Sequence, residues 1–150
     1  MHADSRVNKI RFHFLKKGFT LGNRTFLKSF LLDFFKREGF QVDVVNYIFC
    51  SDTYLKRLNK SHLGHNYNTD ILTFVMSPAK NPLLVDIFIS IDTVRTNSVR
   101  FDNPFSVELR RVIFHGALHA CGYEDRTISQ KKEMRKREDS LLSGYRRRST

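Results

Sequence analysis

Residues Phe114 to Arg126 read Phe-His-Gly-Ala-Leu-His-Ala-Cys-Gly-Tyr-Glu-Asp-Arg. The stretch specifies a helix, its end and the turn beyond it. Residues four apart share a helix face, so His115 and His119 point at one spot. Gly122 falls where such a helix ends, because glycine takes a left-handed C-terminal conformation at little steric cost. The chain then turns back and brings Asp125 alongside the two imidazoles. Two nitrogens and one carboxylate oxygen leave a fourth tetrahedral position open, which is the design of a catalytic zinc site. The spacing is close to that of zinc peptidases of the pattern His-Glu-x-x-His-x-x-Gly-x-x-His. Here Gly116 replaces the glutamate base and Asp125 the last histidine, which counts against peptide hydrolysis of the usual kind. Cys121 lies two residues past His119, and a helix points it away from the ligand face.

Outward from this helix, apolar periodicity places the other elements. Ile10 to Phe14 alternates and reads as a strand, with His13 on its solvated side. Phe26, Leu27, Phe30, Leu31, Phe34 and Phe35 form the core stripe of a helix from Arg24 to Glu38, ended by Gly39. Val42 to Cys50 is a second strand. Ser51-Asp52-Thr53 caps a short helix carrying Tyr54, Leu55, Leu58 and Leu63, followed by a polar turn over 64–68. Ile71 to Met76 and Leu83 to Ile91 are strands whose short connection predicts an antiparallel pair. Asp92 to Arg100 is helical. Asn103-Pro104 starts the histidine helix, and Thr127 to Leu142 forms the last, with Met134, Leu141 and Leu142 inward.

The order β-α-β-α-β-β-α-α-α predicts one α/β (α+β) domain over residues 1–150, a small mixed four-stranded sheet with about five helices packed on it. A length of 150 residues suffices for a real core. No apolar run approaches the ~20 residues of a membrane span, and no apolar signal region stands near the N-terminus. The expectation is a cytoplasmic protein with no membrane partner and no obligatory protein partner. Cys50 and Cys121 are then free thiols. The net charge of +11 points to a polyanion such as nucleic acid. Lys131, Lys132, Arg135, Lys136 and Arg137 crowd the last helix, and Arg146, Arg147 and Arg148 lie in a basic tail over 143–150 that reads as either a frayed end or a phosphate-binding arm.

The run His115-Gly116-Ala117-Leu118-His119-Ala120-Cys121-Gly122-Tyr123-Glu124-Asp125 resembles the signature of the bacterial YbeY proteins, His-Gly-x-Leu-His-Leu-x-Gly-Tyr-Asp-His. Leu58-Asn59, Thr69-Asp70-Ile71-Leu72-Thr73-Phe74, Asp86-Ile87-Phe88-Ile89-Ser90 and Glu108-Leu109 are similar to further segments of that family, in order, over about residues 50 to 142. The resemblance implies a zinc-dependent, single-strand-specific endoribonuclease in small-subunit rRNA maturation and ribosome quality control. RNA and the ribosome or its small subunit would be the partners, and one zinc ion the cofactor. His115 and His119 carry over as ligands. Asp125 stands where the family has histidine, and remains a competent zinc ligand. His62-Leu63 replaces the family's Tyr-Arg, and Val85 its glycine before Asp86.

The metal is expected to polarise a phosphoryl oxygen and to lower the pKa of its water toward ~7. The RNA 2′-hydroxyl is the alternative nucleophile. Gly116 is expected to leave room for a phosphate near the metal, and Arg126 to stabilise its charge or merely face solvent. Asp70 either orients a ligand or caps a turn, and Glu108 either orients His115 or has no role. Rival readings are a metal-dependent hydrolase of peptides or small esters, a non-enzymatic ribosome-assembly factor with a structural metal, and a plain nucleic-acid-binding module.

Overall fold

The computed structural model describes residues 7–63, 69–78 and 82–149. The polar turn predicted over 64–68 lies outside them, as do the side chains of His62 and Leu63. A 3-10 turn, Val7–Lys9, leads into β1 (Ile10–Phe14), α1 (Arg24–Arg37), β2 (Val42–Cys50), α2 (Asp52–Leu63), β3 (Ile71–Val75), β4 (Leu83–Ser90), α3 (Ile91–Arg100), α4 (Phe105–Ala120) and α5 (Ile128–Ser149). The predicted element order holds throughout.

The sheet order is β1-β2-β4-β3. β1 and β4 both run parallel to β2, while β3 is antiparallel to β4, as the short connection requires. Alternate residues of β4 divide between two faces. Val85, Ile87 and Ile89 enter the main core with the α1 stripe and Val112, Ile113 and Ala117 of α4. Phe88 faces the other way, into a smaller cluster of Leu55, Leu72 and Cys50 beneath α2. His13 is exposed on that second face, where its Nε2 pairs with Asn46 Oδ1 at 2.8 Å. Neither Cys50 nor Cys121 is in a disulfide, as expected.

α4 is the helix around which the rest is arranged. It is buried along most of its circumference, and the Tyr47 hydroxyl in β2 donates to the Ile113 carbonyl at 2.9 Å. This bond satisfies the Tyr47 hydroxyl inside the core. Gly116 is part of this packing, and the expectation that it makes room for a phosphate is wrong. It is buried, and a Cβ there would lie 2.8 Å from Ile87 Cγ2 and 2.9 Å from Ile71 Cδ1. The glycine lets the helix sit down on β3 and β4. Both isoleucines are β-branched and give way poorly. Gly116→Ala is therefore expected to destabilise the fold by about 1–3 kcal/mol. Urea unfolding would show this as a lower midpoint at unchanged slope.

The end of the chain also differs from expectation. The basic segment beyond Leu142 is neither frayed nor a tail, because α5 continues to Ser149. Tyr145 is buried between Phe26, Phe30 and Phe114, with ring centroids 5.1–6.1 Å away, and this aromatic cluster holds the helix end down.

Candidate metal centre

The site forms where α4 ends. The Gly122 N–H donates to the His119 carbonyl at 2.9 Å, and the Tyr123 N–H to Leu118 at 3.1 Å. Gly122 has φ +98°, so the helix closes on a left-handed glycine as the sequence predicts. The turn swings Asp125 back over the helix face. His119 Nε2 lies 2.9 Å from His115 Nε2, and Asp125 oxygens lie 3.3 Å and 3.5 Å from the two nitrogens. One ligand atom from each of the three residues falls within 4.8 Å of the others. It is the one such cluster among the described residues, and Cys121 does not belong to it.

A fourth residue, which the sequence reading missed, stands behind the cluster. Glu138 of α5 is buried, and its Oε2 lies 2.6 Å from His115 Nδ1. Its other oxygen accepts from Arg111 Nη1 at 3.0 Å, and Arg111 Nη2 also reaches Asp139 at 2.7 Å. A carboxylate only accepts, so His115 carries its proton on Nδ1 and turns the Nε2 lone pair toward His119 and Asp125. That is the tautomer a metal-binding histidine needs.

The electrostatics separate the two imidazoles. Burial alone would lower the pKa of His115, yet the Glu138 hydrogen bond and charge, helped by Asp70 and Asp125, raise it overall. His119 goes the other way, lowered by burial and by charge on His115. Asp70 is pushed up by burial, against the pull of His115. Its carboxyl therefore belongs to the electrostatic neighbourhood of the site. Its contacts are also local: the Asp70 carboxyl accepts from its own backbone N–H, and Thr69 Oγ1 accepts from the Ile71 N–H at 3.4 Å.

The remaining expected residues lie farther out. Glu108 does not orient His115. It is buried at the start of α4, where Asn103 Nδ2 approaches it at 3.5 Å. Arg126 is exposed and lines a shallow depression of about 260 Å³ with His119, Tyr123 and Asp125. Its backbone N–H donates to Gln130, part of the cap of α5.

The donor set suits a divalent metal. Two imidazoles, their planes 77° apart, and one carboxylate converge, and a buried glutamate fixes the tautomer of one imidazole. Three protein ligands, two of which (His119 and Asp125) line a solvent-open depression, match a catalytic rather than a structural zinc site.

Known proteins identify the family. The family model described as Endoribonuclease YbeY matches residues 19–146. The chain is 42% identical over 125 residues to Endoribonuclease YbeY of Cytophaga hutchinsonii, covering 83% of this chain and 87% of that protein. It is 38% identical over 130 residues to the protein of the same name from Karelsulcia muelleri, covering 87% and 92%. A solution structure from Thermotoga maritima superposes with a TM-score of 0.61 at 28% identity, covering 89% of this chain and 88% of that one. With a family match over residues 19–146 and relatives of about 40% identity covering most of the chain, the chain belongs to the Endoribonuclease YbeY family.

Proposed function

We propose that the chain is a zinc-dependent, single-strand-specific endoribonuclease of the cytoplasm, acting as one domain in small-subunit rRNA maturation and ribosome biogenesis. The observation that supports this most is the meeting of His115, His119 and Asp125 within 4.8 Å, at the edge of a depression lined by His119 and Asp125. These three residues would hold one ion, with zinc favoured by two nitrogen ligands and one oxygen. When bound, such an ion supplies Lewis acidity toward a phosphoryl oxygen and makes water a stronger acid.

The protein's own residues do the rest. Glu138 keeps the His115 proton on Nδ1. Asp70 adds negative potential at His115. Arg126 lines the depression and would meet a phosphate next to the scissile bond. The nucleophile is water or the RNA 2′-hydroxyl.

Peptide hydrolysis is disfavoured because the position after His115 has no carboxylate. A purely structural metal is disfavoured because all three ligands come from α4 and the turn that follows it, while the main core forms without them.

The test is removal and return of the metal. Chelated protein is expected to stop cutting single-stranded precursor rRNA, to stay folded, and to recover on one equivalent of zinc. Cleavage that survives complete removal of the metal defeats the proposal. Unfolding on chelation, with no cleavage at any zinc level, would favour the assembly-factor reading.

A further inference from the structure

The net charge is concentrated on one element. α5 carries eight basic residues against three acidic ones, a net +5 of the chain's +11. Glu138 turns inward to the metal centre, whereas seven of the eight basic residues are exposed and Arg137 is half-buried.

Between α5 and α1 runs a groove of about 600 Å³. Its floor includes Phe30, Phe34 and Leu118, each at most 5% exposed. The floor therefore offers little apolar area to a peptide side chain. Its rim is cationic, with Arg37 from α1 and Lys136 and Arg147 from α5. Arg37 and Lys136 have no carboxylate partner among the described residues. The acids on the rim are already engaged. Glu38 accepts from the Tyr123 hydroxyl at 2.6 Å, and Glu133 pairs with Arg137 at 3.0 Å. The surface left over suits a chain of phosphates.

Tyr123 joins this groove to the metal centre. It lines the depression beside His119 and Asp125. The Arg137 guanidinium lies 4.4 Å from its ring centroid, and its hydroxyl holds Glu38, so both of its partners are groove residues.

We propose that the α1–α5 groove is an RNA exosite. It holds the single strand flanking the cleavage site by its phosphates, through Arg37 and Lys136, and is reached from the metal centre past the Tyr123–Arg137 stack. Lys136 to Arg147 spans about 16 Å along the helix, room for several phosphates. The assignment rests on the endoribonuclease reading and adds to it a surface where length of substrate is felt.

The test compares Arg37→Glu/Lys136→Glu with a charge-matched control, Lys17→Glu/Arg100→Glu, at exposed positions on the β1–α1 loop and at the end of α3. Binding is read in the His119→Ala background, so that the strand is not cut. The probes are single-stranded RNAs of about four and about sixteen nucleotides, the span of single-strand site sizes. The groove variant is expected to lose about tenfold or more in affinity for the long strand, and its salt slope to fall by about 1.4, two contacts at 0.7 each. The short strand should bind as before, and the metal-loaded groove variant, with His119 intact, should cut it at the parent rate. An unchanged slope, an equal loss on both strands or an equal loss in the control overturns the exosite. So does polyglutamate that competes as well as RNA, which would mark the groove as a site for an acidic protein. Failure of the metal-loaded parent to cut the short strand would count against the endoribonuclease reading alone, because the binding comparison does not depend on turnover.

Discussion

His119→Ala is expected to lower RNA cleavage by at least about a thousandfold while leaving the protein folded and its affinity for long single strands intact. His119 is the better histidine to remove. It is partly exposed, its ring meets His115 and Asp125 at the open side of the cluster, and the core does not depend on it. His115 is anchored to Glu138 and through it to Arg111, so its removal disturbs a buried network as well as the cluster. Loss of one ligand leaves two, too few to hold the ion against water, and zinc content should fall with activity. Asp125→Ala should behave in the same way. Asp125→His should retain zinc and much of the activity, because the YbeY signature has histidine at that place. The measurements are zinc per protein, cleavage of a single-stranded substrate, and melting temperature. Cleavage at the parent rate by His119→Ala would show that this cluster is not the catalyst.

Local features of the sequence were enough for the ligands, because their geometry is local. Four-residue helical spacing joins His115 to His119, and a left-handed glycine three residues later returns Asp125 to them. The fold was legible for a similar reason. The α1 Phe stripe, the alternation in β1 and the short β3–β4 connection each leave one arrangement that buries the apolar residues.

Features that depend on packing between distant elements were misread or missed. A glycine directly after a ligand reads as substrate space, but Gly116 continues the line Val112–Gly116–Ala120, which lies on the sheet. The basic segment after Leu142 looked unstructured by composition, although Tyr145 extends the spacing of Met134, Glu138 and Leu141 at i, i+4, i+7 and i+11. Glu138 was missed because its partner lies twenty-three residues away on another helix. Its signal was its place on that same inward stripe, where an acid needs a buried partner.

That place makes Glu138→Gln the second variant with a large effect, and its chemistry separates metal binding from stability. The carboxylate accepts on both oxygens, from His115 Nδ1–H on one and Arg111 Nη1–H on the other. An amide of the same shape has one acceptor and one donor. If its oxygen faces His115, its NH2 meets a guanidinium N–H, donor against donor. If it flips, its NH2 demands an acceptor at Nδ1, which moves the His115 proton to Nε2, where the lone pair for the metal should be. Either state works against the site. Zinc affinity is expected to fall about 10–100-fold, the usual effect of removing such a partner. Glu138→Ala should lose a similar amount of affinity and also about 3 kcal/mol of stability, because Arg111 keeps only its bond to the exposed Asp139. Competition with a zinc chelator reads the affinity, and urea unfolding of metal-free protein reads the stability. The nitrogen NMR shifts of His115 read the tautomer directly, with the proton on Nδ1 in the parent. A Glu138→Gln protein that binds zinc as tightly as the parent, or keeps its His115 proton on Nδ1 with no loss of affinity, would reduce Glu138 to a structural ion-pair partner.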